Sequence, residues 1–483
     1  MARILAACAR WKRRCDANAK WGHMLREVGG KLAEELDLLG LPEVVALAKD
    51  AAQLGEPQVR LASAIGHRVG VTEEEIALSS QDMIDLIGAS GQLGGKLHMM
   101  TRALADRLEP RTAMLPNKSL VQLCSHLGAL NMFPHRLAAA LDTVLSQRDC
   151  GQFPVEDRLR LLQAFGRLRW RSPAVLSPLL ESFSASVLDG LGVESLGGII
   201  YELYRLDIWD ENLANAVCSR LHKILVQNGV GHSHVDILSG KTAANLLLAL
   251  SYFAVSEKEL QRRLVQELLR SNKVPQEALY QLKTFEMAVR LGHTSVTLKD
   301  LGGLAARWLF SVRGASGIPE PRGESAFAEE VSNVAKNISW HHQAEVEVGP
   351  YLLDFAAVSR DGYEEPDGWD ESKPGRSLAR FCVAVEADGP SHFYRPHGRP
   401  WHWTSTSKLR HRLLSAMRVL ALFSRARNKG SPVLMQSLEV QIIVQRTYGR
   451  FDYSHSARVS VQTYLPNASN ASRPYNMRFA SVR

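Results

Sequence analysis

The chain has 483 residues, enough for two or three domains with a substantial core. Its formal charge of +8 is unevenly spread: residues 389–483 carry 15 Lys and Arg against two acids, Glu439 and Asp452, which leaves residues 1–388 with 43 basic and 48 acidic side chains. No apolar run approaches the roughly 18 residues of a membrane-spanning helix. Six scattered cysteines (Cys8, Cys15, Cys124, Cys150, Cys218, Cys382) without a CxxC argue against a disulfide scaffold or a zinc site and for free thiols in a reducing compartment.

Residues 1–38 form an N-terminal segment. Its start, MARILAACARWKRRC, has five basic residues and no acid before Asp16. That is either an organellar presequence, which is Arg-rich and acid-poor, or an ordinary basic start. In a reducing compartment the Asn-x-Ser sequons at Asn467 and Asn470 are chance matches.

Residues 39–312 show helical periodicity that repeats. An apolar or small residue, two variable residues and a second apolar residue recur with the second anchor at 54, 93, 130, 168, 206, 250 and 285. The spacings are 39, 37, 38, 38, 44 and 35, and most anchors are followed by a break and a second apolar-periodic segment such as HRLAAALDTVL. The pattern predicts an α-solenoid of about seven helix–turn–helix repeats. Periodicity does not name the ligand, because such solenoids bind either protein or single-stranded RNA.

Gly, Pro and Ser break the helices at SVRGASGIPEPRGES, placing a linker at 313–325. The next domain, 326–450, opens with AFAEEVSNVAKNI, where Phe327, Val331, Val334 and Ile338 share a helical face. AEVEV (344–348) and YLLDFAAV (351–358) predict a hairpin across a Gly-Pro turn. The acid-rich stretch 361–371 reads as a solvated loop and FCVAVEAD as a central strand. A basic helix is expected at about 405–424 and a strand at 438–445, leaving 451–483 as a polar basic tail. Together these give a small α/β domain after the solenoid.

This domain holds the chemistry-bearing residues. Asp354 on one strand and Glu386 and Asp388 on the next resemble the paired carboxylates of restriction-endonuclease-like folds, which implies Mg²⁺ binding, with Lys408 in place of the motif lysine supplying a cation for metal-assisted phosphodiester hydrolysis. They could equally be structural partners of Arg and Lys, and Glu330 a fourth carboxylate or a solvated one. His392 is a metal ligand, a proton shuttle or a turn-holding hydrogen-bond partner. Phe393, Tyr394, Trp401 and Trp403 interleave with Arg395 and Arg399, the composition of a single-strand platform in which rings stack on bases and cations hold phosphates. The alternative is that the tryptophans cap the small core. Lys408, Arg410 and Arg412 are the natural phosphate contacts of the basic helix.

VEADGPSHFYRP followed by TSTSKLRHRLL resembles the core of a RAP domain, with its E-x-DGPxHF block and T-x-x-K-x-R-x-LL helix, over roughly residues 326–425. The repeat period resembles the octotricopeptide and heptatricopeptide repeats that accompany such domains. The resemblance implies a restriction-endonuclease-like fold in an organellar protein, mitochondrial or alternatively of plastids. It implies partners that are single-stranded or ribosomal RNA and mitochondrial ribosomal proteins, with roles in RNA processing, stability, translation or ribosome assembly. The position of a nuclease lysine is occupied by Asp388, so RNA holding without a cofactor is expected ahead of Mg²⁺-dependent endoribonuclease activity. A protein-binding scaffold is the remaining alternative. Neither a membrane nor a small-molecule substrate is expected.

Overall fold

The computed structural model describes residues 20–53, 59–71, 78–93, 98–227, 238–270, 278–315, 332–333, 343–358, 381–388, 394–395, 402–416, 421–426, 437–443 and 456–462. The 1–19 segment, the acid-rich loop, Glu330, both sequons, Leu54, Cys8, Cys15 and most of the 313–325 linker lie outside the described residues, and so does the side chain of Cys382. Two compact units emerge. One comprises Met1–Leu191, Asp210–Val217 and Arg395–Trp401; the other comprises Gly192–Trp209, Cys218–Tyr394 and His402–Arg483.

The first unit is a two-layer helical array. Its helices are α1 (Lys20–Glu34), α2 (Leu41–Gln53), α3 (Val59–Val71), α4 (Ser80–Gln92), α5 (His98–Leu108), α6 (Asn117–Leu130), α7 (His135–Ser146), α8 (Val155–Leu168), α9 (Pro173–Glu181) and α10 (Ala185–Asp189). The layers follow alternation in sequence: α2, α4, α6 and α8 stack successively, and α1, α3, α5, α7 and α9 form the second row. Each helix of the first row hides its apolar stripe, as Leu120, Leu123 and Leu127 do on α6 and Leu161, Leu162 and Phe165 on α8. A short residue permits the closest approach. A Cβ on Gly128 would lie 3.1 Å from the Ala164 Cα.

The second unit continues the same logic with α11 (Val193–Leu206), α12 (Glu211–His222, its first half assigned to the first unit), α13 (Gly240–Tyr252), α14 (Lys258–Arg270), α15 (Leu279–Arg290), α16 (Leu298–Leu301) and α17 (Gly303–Gly314). Here α11, α13, α15 and α17 stack in order, while α14 packs behind α13 and α17.

The repeat is set by how its helices stop. Asn131, Arg169, Asp207, Ala254 and Gly292 all have left-handed backbone, with φ of 50, 54, 54, 53 and 72°. After each, the next amide reaches back five residues: Met132 to Leu127 (3.1 Å), Trp170 to Phe165 (2.9 Å), Ile208 to Leu203 (3.0 Å), Val255 to Leu250 (3.0 Å) and His293 to Ala288 (2.8 Å). This is the Schellman cap, which satisfies orphan carbonyls at a helix end. Counted from cap to cap, 131, 169, 207, 254 and 292 are separated by 38, 38, 47 and 38 residues. The sequence anchors Leu130, Leu168 and Leu206 sit directly before the caps, but Leu250 and Phe285 lie four and seven residues before theirs. Correcting for that offset turns the apparent spacings of 44 and 35 into 47 and 38. The long unit is the one containing residues 228–237, which are outside the described residues.

The second unit also carries a six-stranded backbone sheet in the order β1 (Gln343–Val348), β2 (Tyr351–Val358), β3 (Phe381–Asp388), β4 (Ala421–Ala426), β5 (Ser437–Ile443) and β6 (Ser456–Gln462). Every step is antiparallel except β3 to β4. A parallel step needs a crossover, and α18 (Ser405–Ala416) lies between those strands in the chain. The basic helix therefore ends eight residues before the expected 424, because ALFSRA pairs with β3 instead of continuing the turn. The segment expected to be a tail contributes β6, whose Ala457, Val459 and Val461 alternate with polar residues. Nor does the linker mark the division between units: α11–α17 belong with the strands and α18.

Among the described residues no helix is long and apolar enough to cross a membrane. Cys124, Cys150 and Cys218 are buried free thiols, and burial pushes Cys124 and Cys218 up to about 12. Such thiols are inert packing groups.

Candidate nucleic-acid interface

Helix α18 starts where Thr404 caps it. The Ser407 amide donates to Thr404 Oγ1 at 3.2 Å, and the Thr404 and Ser407 hydroxyls lie 3.0 Å apart. Leu409, Leu413 and Leu414 form its buried stripe. Tyr394 pins the start from outside, donating through its hydroxyl to the Arg205 carbonyl at 2.9 Å and accepting from the Ser405 amide at 2.8 Å. That ring is 2% exposed, so it offers no face to a base and cannot belong to a stacking platform in this arrangement.

The cations of α18 are committed within the second unit. Lys408 Nζ donates to Asp207 Oδ2, and Tyr252 donates its hydroxyl to Asp207 Oδ1 at 2.6 Å. Arg412 donates to the Tyr252 carbonyl at 3.0 Å, with its guanidinium 5.3 Å from the centre of the Tyr252 ring. Lys408 and Arg412 are four residues apart on one face of α18. They meet the left-handed cap after α11 and the final residue of α13, where helix ends carry partial negative charge and unpaired carbonyls. Arg410 points elsewhere, donating to the Leu352 carbonyl of β2 at 2.9 Å and lying 5.6 Å from the Tyr351 ring centre. Burial lowers its guanidinium pKa, against the opposing influence of Tyr280, Asp354 and Tyr351.

Tyrosines fill the space between these elements. Tyr201 and Tyr204 have ring centres 5.8 Å apart, Tyr204 and Tyr252 5.2 Å, and Tyr280 and Tyr351 6.1 Å. Burial raises the pKa of all five, and Tyr204 shares a 3.3 Å hydroxyl contact with Thr406 of α18. They act as neutral hydrogen-bonding packing groups.

The carboxylate positions come together only at the level of backbone. Phe355 pairs with Val385, and carrying that antiparallel register one residue further sets Asp354 across from Glu386. Glu386 itself pairs with Phe423, and Asp388 with Arg425. The side chains of Glu386 and Asp388 are outside the described residues. Among the described residues no group of three His, Cys, Asp or Glu could hold a metal ion. Lys408, the cation assigned to a nuclease centre, is held by Asp207.

His392, Phe393, Arg399 and Trp401 lie outside the described residues. Trp403 is half-buried, with its ring centre 5.4 Å from that of His411, whose pKa burial lowers. Arg395 belongs to the first unit, where its amide donates to the Arg169 carbonyl at 3.0 Å and its guanidinium sits 5.4 Å from the Phe133 ring centre. Sequence reading missed Asp207 and Tyr252 as partners of the basic helix. A signal for Asp207 existed, since it follows the LYRL anchor directly; Tyr252 has none, because the anchor there is displaced.

No family model matches this sequence, and no curated protein matches it.

Proposed function

We propose that this chain is an organellar RNA-binding protein, with a RAP-like α/β domain of restriction-endonuclease type following helical repeats. The observation that carries the reading is the charge of residues 389–483, with 15 basic side chains against two acids, following the VEADGPSHF block. Such a field attracts polyanions irrespective of sequence. The helical array and the β-β-β-α-β backbone order support it, and the resemblance of VEADGPSHFYRP and TSTSKLRHRLL to RAP domains implies a mitochondrial location, with a plastid as alternative. The work done on RNA is maturation, stabilisation, translation or ribosome assembly.

The test is titration of the full chain with a fluorescein-labelled single-stranded RNA at several salt concentrations. Affinity should fall with salt at a slope of about −0.7 per phosphate neutralised. Binding that is absent or insensitive to salt contradicts the reading.

A metal-dependent endoribonuclease is the second reading, favoured by the register that sets Asp354 opposite Glu386. Against it stand Asp388 at the usual lysine position and the engagement of Lys408 by Asp207. Cleavage of RNA with Mg²⁺, lost in Asp354→Ala, would establish it; intact RNA over a range of divalent metals removes it.

A further inference from the structure

We propose that the C-terminal ends of α11 and α13 act as an internal stand-in for RNA phosphates. They hold α18 closed against the repeats until RNA displaces them. The proposal rests on the RNA-binding reading and adds regulation to it.

The contacts themselves make the case. Lys408 and Arg412 are two of the six cations in the segment 389–420, and each gives a hydrogen bond to the repeats. The group facing Lys408 is a carboxylate, Asp207, oriented by a second donor, the Tyr252 hydroxyl. The group facing Arg412 is the carbonyl that closes α13. An anionic oxygen and a helix-end carbonyl are what a phosphate offers: acceptors only, with negative charge.

Asp207 is also singular among its equivalents. The five left-handed caps carry Asn131, Arg169, Asp207, Ala254 and Gly292, and Asp207 is the acid among them. Asp tolerates left-handed backbone as Asn does, and here it also brings a carboxylate to Lys408 and Tyr252.

The contact is partly open to solvent, as a displaceable one must be. Lys408 is 40% exposed and Arg412 is exposed, in contrast to the buried Leu409, Leu413 and Leu414 of the same helix. An ion pair at such a site is worth little enough for a polyanion to compete with it. RNA that takes the donors now given to Asp207 and the Tyr252 carbonyl would loosen α18 from the caps.

The test is hydrogen exchange of the full wild-type chain, alone and with a labelled single-stranded RNA, alongside RNA titrations of Asp207→Asn. Amides of residues 405–416 should exchange faster with RNA bound. Asp207→Asn should bind RNA about fivefold more tightly. If RNA binds with the expected salt dependence but those amides exchange at the same rate or more slowly, the closed-helix proposal falls while the RNA reading stands. If the wild-type chain binds no RNA, both fall. Should Asp207→Asn fail to fold, exchange in the wild-type chain decides alone.

Discussion

Cations satisfy acceptors at helix ends in both units, but they arrive from different distances along the chain. In the first unit Arg158, 9% exposed, donates to the carbonyls of Phe153 at 2.8 Å, Gly151 at 2.7 Å and Ser182 at 2.7 Å, all within 24 residues. In the second unit Arg412 and Lys408 reach back 160 and 201 residues to Tyr252 and Asp207. The local cation completes a repeat. The distant ones bind a helix to the repeats, and their half-open setting leaves them free to answer to something else.

That contrast predicts unequal costs. Arg158→Met strands the buried Phe153 carbonyl and takes the donor from the more open carbonyls of Gly151 and Ser182, and should destabilise the chain by about 2–4 kcal/mol in chemical denaturation. Lys408→Met removes one charged partner from Asp207 and should cost about 1–2 kcal/mol. A smaller loss at Arg158 than at Lys408 would break the distinction.

The repeats were legible because their signal is local. A break after 38 residues, and once after 47, marks a helix stop, and Leu130, Leu168 and Leu206 precede that stop directly. The signal drifted at Leu250 and Phe285, where α13 and α15 are buried nearly throughout and offer several residues that fit the pattern. The hairpin at 343–358 was equally visible, since Gly349, at φ 62°, and Pro350 separate two alternating runs. Strand β4 was not, because ALFSRA follows a helix without a turn residue and only its pairing with β3 makes it a strand. The basic helix was found, but not its partners. Nothing in KLRHR distinguishes a cation that waits for phosphate from one that already holds Asp207, because that choice is made by tertiary packing.

A Cβ on Gly128 would press on backbone of α8 that cannot swing away, so Gly128→Ala should lose about 1–3 kcal/mol in the first unit. Ala254→Gly relieves a left-handed alanine and should gain about 0.5–1 kcal/mol in the second. Asp207→Gly would make the same backbone gain but lose the Lys408 contact, and should come out net destabilising. Equal gains at 207 and 254 would mean that the Asp207 side chain contributes nothing.

The smallest effect is one of pH. His126 packs above Gly88, where burial lowers its pKa from the ordinary 6.5 and the nearby Asp85 opposes the shift. The unfolded chain therefore binds this proton before the folded chain does. Stability from His126 is present above pH 6.5 and declines as pH falls below it. Thermal melts of His126→Gln should show a shallower acid slope than wild type over that window, and identical slopes would remove His126 from the account.

If the cations of α18 serve the repeats first, Asp207 and Lys408 must be coupled energetically. A double-mutant cycle on Asp207→Asn and Lys408→Met, read by chemical denaturation, should give a coupling of about 1 kcal/mol. Additive losses would mean that the two side chains do not hold α18 in place.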